Sequence, residues 1–289
     1  MIEIRKIRIT DLDTDAVVNA ANEGLAMGGG VCGAIFKDAG TDPLQDACRR
    51  IGHCDTGSAV LTPGFNLRAK YIIHAVGPIW SDGKHDESKK LYRAYRRSLE
   101  LAVETGCKSI AFPLLSAGAS GYPVDLAWRK ALQVCVEFLD QGYEIDIVFA
   151  VLSDQILKNG QEILRKIAPQ YAIAVRSDWK ILDMPARQDS FILDRHFSQD
   201  EMKTLRKGNI PKEMEDKWFR YMEGNKLFAH RSWTGFCIYC VEFSPDHHHK
   251  VTVNQDPEQV RAPSIDEDRR RLDKLLTSWA KAPYDSWIE

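Results

Sequence analysis

Residues 17–40 read VVNAANEGLAMGGGVCGAIFKDAG, and their reading decides the fold. A β-branched run ends in Asn19 and Asn22, three glycines follow (Gly28, Gly29 and Gly30), and a helix can begin at Val31. Glycines allow positive φ and let backbone N–H groups converge, and a helix N-terminus adds its dipole. Together they form a cradle for a phosphate or diphosphate. A flexible surface turn is the alternative. The two amides where a strand meets the loop favour the cradle, because amides position hydroxyls and water.

Outward from this stretch, IEIRKI, AVVNA, SAVLT, KYIIHAV, KSIAFPL and IDIVFAV read as strands, most too uniformly apolar to have a wet face. Leu91, Tyr95, Ser98, Leu99 and Ala102 fall at helical spacing over 88–105, with Gly106 as C-cap. Val124, Trp128, Ala131, Cys135 and Phe138 repeat the pattern over 124–141, and Ser153 offers the N-cap of a third helix. Strands alternating with helices predict a largely parallel sheet covered on both faces, with ligands at the carboxyl ends of its strands. A second small-residue loop, SAGASGYP at 116–123, follows the strand SIAFP and can close on the other side of the same diphosphate.

The chain has 289 residues, enough for two domains, and the regular alternation stops around 168–190. The expected division is 1–174 and 175–289, the second part a smaller α+β module. Its expected helices are SQDEMKTLRKG, KEMEDKWFRYMEG and SIDEDRRRLDKLLTSW, and its strands KLFAHRSW, GFCIYCVEF and KVTVNQ. No apolar run reaches the roughly 18 residues of a membrane span, and the N-terminus lacks a secretory signal, so a cytoplasmic location is expected. Seven cysteines without regular spacing read as free thiols. A net charge of −2 gives no bulk attraction to nucleic acid.

The order of VVNAANEGLAMGGGVCGAIFKDAG, TGSAVLTPGFNLRAKYIIHAVGP and PLLSAGASGYP closely resembles the macrodomain, particularly its MacroD-type branch, over residues 1–170. The resemblance implies a three-layer α/β/α fold around a mixed, largely parallel sheet that binds ADP-ribose, without a cofactor. It also implies hydrolysis of ADP-ribose from modified macromolecules, or deacetylation of O-acetyl-ADP-ribose. Matched position by position, Asn22 corresponds to the asparagine that contacts the distal ribose and orients the attacking water. Gly28, Gly29, Gly30, Val31 and Gly33 correspond to the first diphosphate loop. Ser116, Ala117, Gly118, Ala119, Ser120 and Gly121 correspond to the second. Ile9 and Asn19 complete the implied ligand contacts, and His74 reads as a structural core histidine.

Three positions depart from the family pattern. Cys32 stands where the best-known hydrolases carry an aspartate, and a thiol of ordinary pKa is a poor base at neutral pH. It is kept as a candidate catalytic group, with burial as a small hydrophobe the competing reading. Arg8 replaces an aspartate that accepts a hydrogen bond from adenine, which arginine cannot do. Ser120 replaces an aromatic beside the distal ribose, a place that Trp80 can fill. These departures motivate a second function, an ADP-ribose reader without turnover. In the second part Lys217, Arg231 and Trp233 offer charge and stacking that could clamp an anionic, aromatic ligand such as a nucleotide, and a third function, a nucleic-acid interaction protein, rests on Arg231 and Trp233. No metal is expected: Cys237 and Cys240 lie in an alternating run that should point them to opposite faces, and His247, His248 and His249 read as a polar turn.

Overall fold

The computed structural model describes residues 1–211, 216–261 and 264–281. The chain forms two compact units, Met1–Ala172 and Ile173–Glu289.

The first unit is built on a six-stranded sheet: β1 (Ile2–Lys6), β2 (Ala16–Ala20), β3 (Ala59–Pro63), β4 (Tyr71–Ala75), β5 (Ser109–Phe112) and β6 (Asp146–Val151). The spatial order is β1-β6-β5-β2-β4-β3, all parallel except the edge strand β3, which runs against β4. Each inner strand alternates between two buried faces. Val18, Ile73, Ile110 and Phe149 belong to the core under α3 (Glu87–Glu104), α4 (Val124–Asp140) and α5 (Asp154–Ile167). Val17, Ile72, Ala111 and Val148 belong to the core under α1 (Gly30–Ala39) and α2 (Thr41–Ile51). This double burial explains the uniformly apolar strands and confirms the three-layer α/β/α arrangement. Helix α2 carries no strong sequence signal. Pro43 looks like a breaker but sits in the first turn, where no backbone donor is needed, and only Leu44 and Cys48 are buried.

The second unit is a five-stranded antiparallel sheet ordered β7-β11-β10-β9-β8, from β7 (Gln188–Asp194), β8 (Trp218–Glu223), β9 (Lys226–Arg231), β10 (Cys237–Glu242) and β11 (His248–Asn254). Helices α6 (Gln199–Lys207) and α7 (Ile265–Lys281) contribute Leu205, Leu272, Leu276 and Trp279 to the core on one face. The expected helix over 212–224 is corrected: residues 218–223 are the edge strand β8, and 212–215 lie outside the described residues. The run WFRY is buried on both sides of the sheet, so it lacks the alternation that marks a half-exposed strand. Among the described residues no helix is long and apolar enough to cross a membrane.

Two buried contacts set stability in the first unit. Gly160 of α5 lies against Trp128: an added Cβ would sit 2.6 Å from the indole, whose N–H donates to the Ile156 carbonyl at 3.0 Å. Helix propensity alone favours alanine by ~1 kcal/mol. The indole is fully buried and cannot retreat, so overpacking of ~1–3 kcal/mol prevails. Gly160→Ala is therefore expected to lower the melting temperature in calorimetry.

His74 on β4 ties three elements together. The Asn19 amide N–H donates to Nδ1 at 3.1 Å, so Nε2–H donates to Thr62 Oγ1 at 2.9 Å, with the Cys48 sulfur 3.8 Å away. Burial lowers the His74 pKa to about 4. The unfolded chain takes up this proton near pH 6.5 and the folded chain only near pH 4, so stability falls as the pH drops through that window. The loss approaches roughly 3 kcal/mol at the lower end. Urea melts between pH 7 and 4 should show a smaller pH dependence for His74→Gln than for the wild type.

Candidate functional site

β2 and β5 are parallel neighbours, so the loops after them open on the same edge of the sheet, with the loop after β4 on the other side of β2. The first loop is held from three directions. Asn22 uses both ends of its amide on Ala26, donating from Nδ2 to the carbonyl at 2.7 Å and accepting the N–H at Oδ1 at 3.1 Å. Glu23 accepts from the Thr56 hydroxyl at 2.7 Å and backbone N–H at 3.1 Å, bonds that lower its pKa. Gln45 of α2 accepts the Met27 N–H at 3.0 Å and donates to the Leu25 carbonyl at 3.3 Å. Leu25 itself takes a left-handed φ of +54° and is buried in the core. Gln45 escapes the sequence reading because it lies on α2, remote in sequence from the loop that it braces.

The glycines then deliver the chain to α1. A Cβ on Gly33 would lie 2.7 Å from the Gly28 carbonyl oxygen, so only glycine permits this approach. The N-cap residue Gly29 offers no capping side chain, and the first turn contains no acidic residue. Gly29 and Gly30 are exposed, and nothing stands near where their Cβ atoms would be. The positive end of α1 is thus open to an anion. Cys32 is 5 % exposed, and its sulfur accepts the Gly28 N–H at 3.3 Å. That position corrects the expectation of a catalytic thiol: a reactive cysteine needs access, and this one fills space under the loop.

In the second loop Ser116 is buried with a left-handed φ of +63°, and its carbonyl accepts the Tyr122 N–H at 3.0 Å. Gly121 donates to the Gly118 carbonyl at 2.9 Å, turning the chain so that Gly118, Ala119 and Gly121 face solvent. The Ser120 carbonyl accepts the Trp80 N–H at 2.8 Å, joining this loop to the one after β4. The Trp80 indole packs edge-on to Tyr122, ring centroids 4.5 Å apart, and covers Gly83. The β4 loop is closed by Glu87, which accepts N–H bonds from Ser81 and Gly83 at 3.2 Å and from His85 at 2.6 Å. Burial opposes ionisation of Glu87, but its backbone donors outweigh it and hold the pKa at about 2. Asp82 and His85 bring further ligand-type atoms within 4.8 Å of this carboxylate.

Other expected contacts sit elsewhere. Asn19 is 1 % exposed and its amide is turned to His74, which places it in the floor of the sheet and not on the loop surface. Ile9 is buried in the core beneath α1 and α2. The Arg8 guanidinium pairs with Asp38 of α1 at 2.5 Å. In the second unit the expectation for Cys237 and Cys240 is corrected. A bulge between Cys237 and Tyr239 shifts the register, so Cys237 pairs with His230 and Cys240 with Phe228, two residues on one face of β9. Both thiols therefore face the same side, and burial pushes the Cys237 thiol up to about 12. Lys217 is exposed, Arg231 is half-buried and Trp233 is 72 % exposed.

One glycine outside both loops controls the second. A Cβ on Gly77 would sit 2.3 Å from Ser116 Oγ. Gly77→Ala should destabilise the protein by ~1–3 kcal/mol. Ser116→Gly removes the obstructing hydroxyl and suits the positive φ, so the double variant should regain most of that loss in a denaturant melt.

A family model described as Macro domain matches residues 18–131. A macro domain-containing protein of Chlorobaculum tepidum is 45 % identical over 166 residues, covering 57 % of this chain and 95 % of that protein. An Escherichia fergusonii protein named O-acetyl-ADP-ribose deacetylase is 43 % identical over 151 residues, covering 51 % of this chain and 85 % of that protein. Among solved structures, the macrodomain of Oceanobacillus iheyensis with ADP superimposes with a TM-score of 0.56 at 35 % identity, covering 58 % of this chain and 92 % of that one. With its sheet order, its glycine loop and relatives of this identity matched over most of their length, the chain belongs to the macrodomain family.

Proposed function

We propose that the first unit binds ADP-ribose between the Gly28–Gly33 and Ser116–Gly121 loops and hydrolyses it from acyl linkages, either O-acetyl-ADP-ribose or esters on modified macromolecules. The observation that carries the reading is the uncapped, glycine-built start of α1 beside a second exposed small-residue loop on the same sheet edge. Backbone N–H groups of Gly29, Gly30 and Val31 on one side, and of Gly118, Ala119 and Ser120 on the other, would hold the diphosphate without a formal positive charge, while the Gly33 and Ala117 N–H groups are bonded to the Gly29 and Leu114 carbonyls. The relative named as a deacetylase and the relative solved with ADP support this ligand class.

Asn22 lies at the mouth of the first loop and exchanges its Ala26 partners for a ribose hydroxyl and the attacking water. A neutral amide cannot remove a proton, and Cys32 is buried, so the chain supplies positioning and fixed dipoles and no strong base. Such a site suits acyl esters, whose cleavage depends on stabilising an oxyanion. The same lack of a base favours a second reading, an ADP-ribose reader without turnover.

Purified protein incubated with O-acetyl-ADP-ribose and with ester-linked ADP-ribosylated protein should release ADP-ribose, and calorimetry should detect free ADP-ribose. Tight binding without turnover on any linkage selects the reader, and absence of binding removes both readings. Asn22→Ala should lower kcat by about tenfold or more while changing affinity by no more than about threefold. Cys32→Ala should leave both within about threefold.

A further inference from the structure

β4 and β5 are not neighbours, because β2 lies between them in the sheet. Their loops nevertheless meet: the Trp80 N–H donates to the Ser120 carbonyl at 2.8 Å, and Gly77 lies so close to Ser116 that a Cβ would strike its Oγ. The two loops therefore join across the carboxyl end of β2, the strand that leads to Asn22. Residues 77–80 form a bar over that end.

One side chain of this bar faces solvent. Ile79 is 78 % exposed, more than any other large apolar side chain among the described residues. Both of its neighbours are anchored: Pro78 is buried, and Trp80 packs on the core under α3 and α4 and on Tyr122. Beyond them Glu87 holds the loop through the N–H groups of Ser81, Gly83 and His85. Ile79 is thus presented on a fixed backbone. Met27, 46 % exposed, offers a second apolar side chain on the first loop. Asn22 binds both the N–H and the carbonyl of Ala26, the residue just before Met27, and Gln45 accepts the Met27 N–H at 3.0 Å. Separate hydrogen bonds place Met27 beside Asn22 and Ile79 beside the second loop.

Single exposed apolar residues are ordinary on protein surfaces. What distinguishes these two is their place on the loops that meet at the end of β2, where Asn22 would hold the ribose that carries the ester. Whatever is esterified to that ribose must leave the cleft past them. An acetyl group is two carbons long and gives outward-facing side chains little to touch, whereas a polypeptide continues beyond the ester.

We propose that Ile79, together with Met27, receives an apolar side chain next to the modified residue of an ADP-ribosylated protein. The inference rests on the proposed ADP-ribose site and names the carrier that this site takes. Aliphatic groups gain by excluding water from apolar surface and make no hydrogen bond to phosphate or ribose, so the carrier is a polypeptide and not a nucleic acid. Each methylene covered changes affinity by about fourfold.

Calorimetry on the full chain compares free ADP-ribose with two peptides that carry ADP-ribose through a cysteine sulfur, a linkage outside ester chemistry. One has leucine beside the modified residue and the other serine. The leucine peptide should bind about fivefold more tightly than the serine peptide. Ile79→Ser should remove most of that preference and leave the affinity for free ADP-ribose within about twofold. Its exposed position means that the variant keeps the melting temperature of the wild type. Met27→Ser should reduce the preference by a smaller factor. Equal affinity of the wild type for the two peptides, or an undiminished preference in Ile79→Ser, overturns the inference and leaves ADP-ribose binding intact. An ADP-ribosylated oligonucleotide that binds as tightly as the leucine peptide overturns the choice of a polypeptide. A wild type that binds no ADP-ribose removes the underlying site, and this inference with it.

Discussion

The first unit depends on the approach of Gly33 to the Gly28 carbonyl, which leaves no room for a side chain. Because α1 begins against the backbone of its own entry loop, the Gly28 N–H turns inward to the Cys32 sulfur and no side chain caps the helix. Asn22, Glu23 and Gln45 fix the rest of the loop by hydrogen bonds to its backbone and to Thr56. A helix end without a cap is ordinarily a defect, and one rigidly held in that state is a preorganised place for an anion. The arrangement needs no conformational change before a phosphate can meet the N–H groups.

The two ends of the sheet are treated differently, and that division organises the unit. At the amino ends of β2, β4 and β5, Asp15 accepts from Lys70 Nζ at 2.9 Å, the Lys108 N–H at 2.8 Å and the Ser109 hydroxyl at 3.3 Å. The Lys70 bond is the main cause of its lowered pKa. This one carboxylate pins three strand entrances. Midway, His74 links β2 and β3 through Asn19 and Thr62. At the carboxyl ends the strands release into loops whose polar groups are bonded locally, while exposed glycines remain at the surface. Rigidity below and accessible backbone above are what a binding edge requires.

The sheet of the first unit was legible because its strands are buried on both faces, and such strands are written as short apolar runs separated by glycine and polar turns. The diphosphate loops were legible for a related reason: positive φ and close backbone approach leave glycine as the visible residue. Information fails where a residue's environment comes from distant elements. Asn19 and Asn22 look equivalent in sequence, yet the pleat of β2 sends the first into the interior toward His74. Gln45 braces the loop from α2, a helix that two buried side chains suffice to anchor. In the second unit β8 is apolar on both sides because α7 covers one face and aromatic residues the other, so periodicity carried no strand signal. A bulge then reversed the expected parity of Cys237 and Cys240.

A net charge of −2 gives no bulk attraction to nucleic acid, but it does not decide whether a single phosphate group can be held. At the proposed ADP-ribose site the positive potential comes from peptide dipoles at α1, which contribute nothing to formal charge. In the second unit the charge is formal but local: acidic groups neutralise cations in pairs, such as Arg195 with Asp273. Anion affinity is set by whether a positive group is already satisfied within a few ångströms, since screening erases charges beyond about 10 Å. Net charge averages over that local pairing, so a protein can be acidic overall and still offer a phosphate an uncapped helix end. The start of α1 is such an end: the fold holds it still and leaves it without an acid in its first turn.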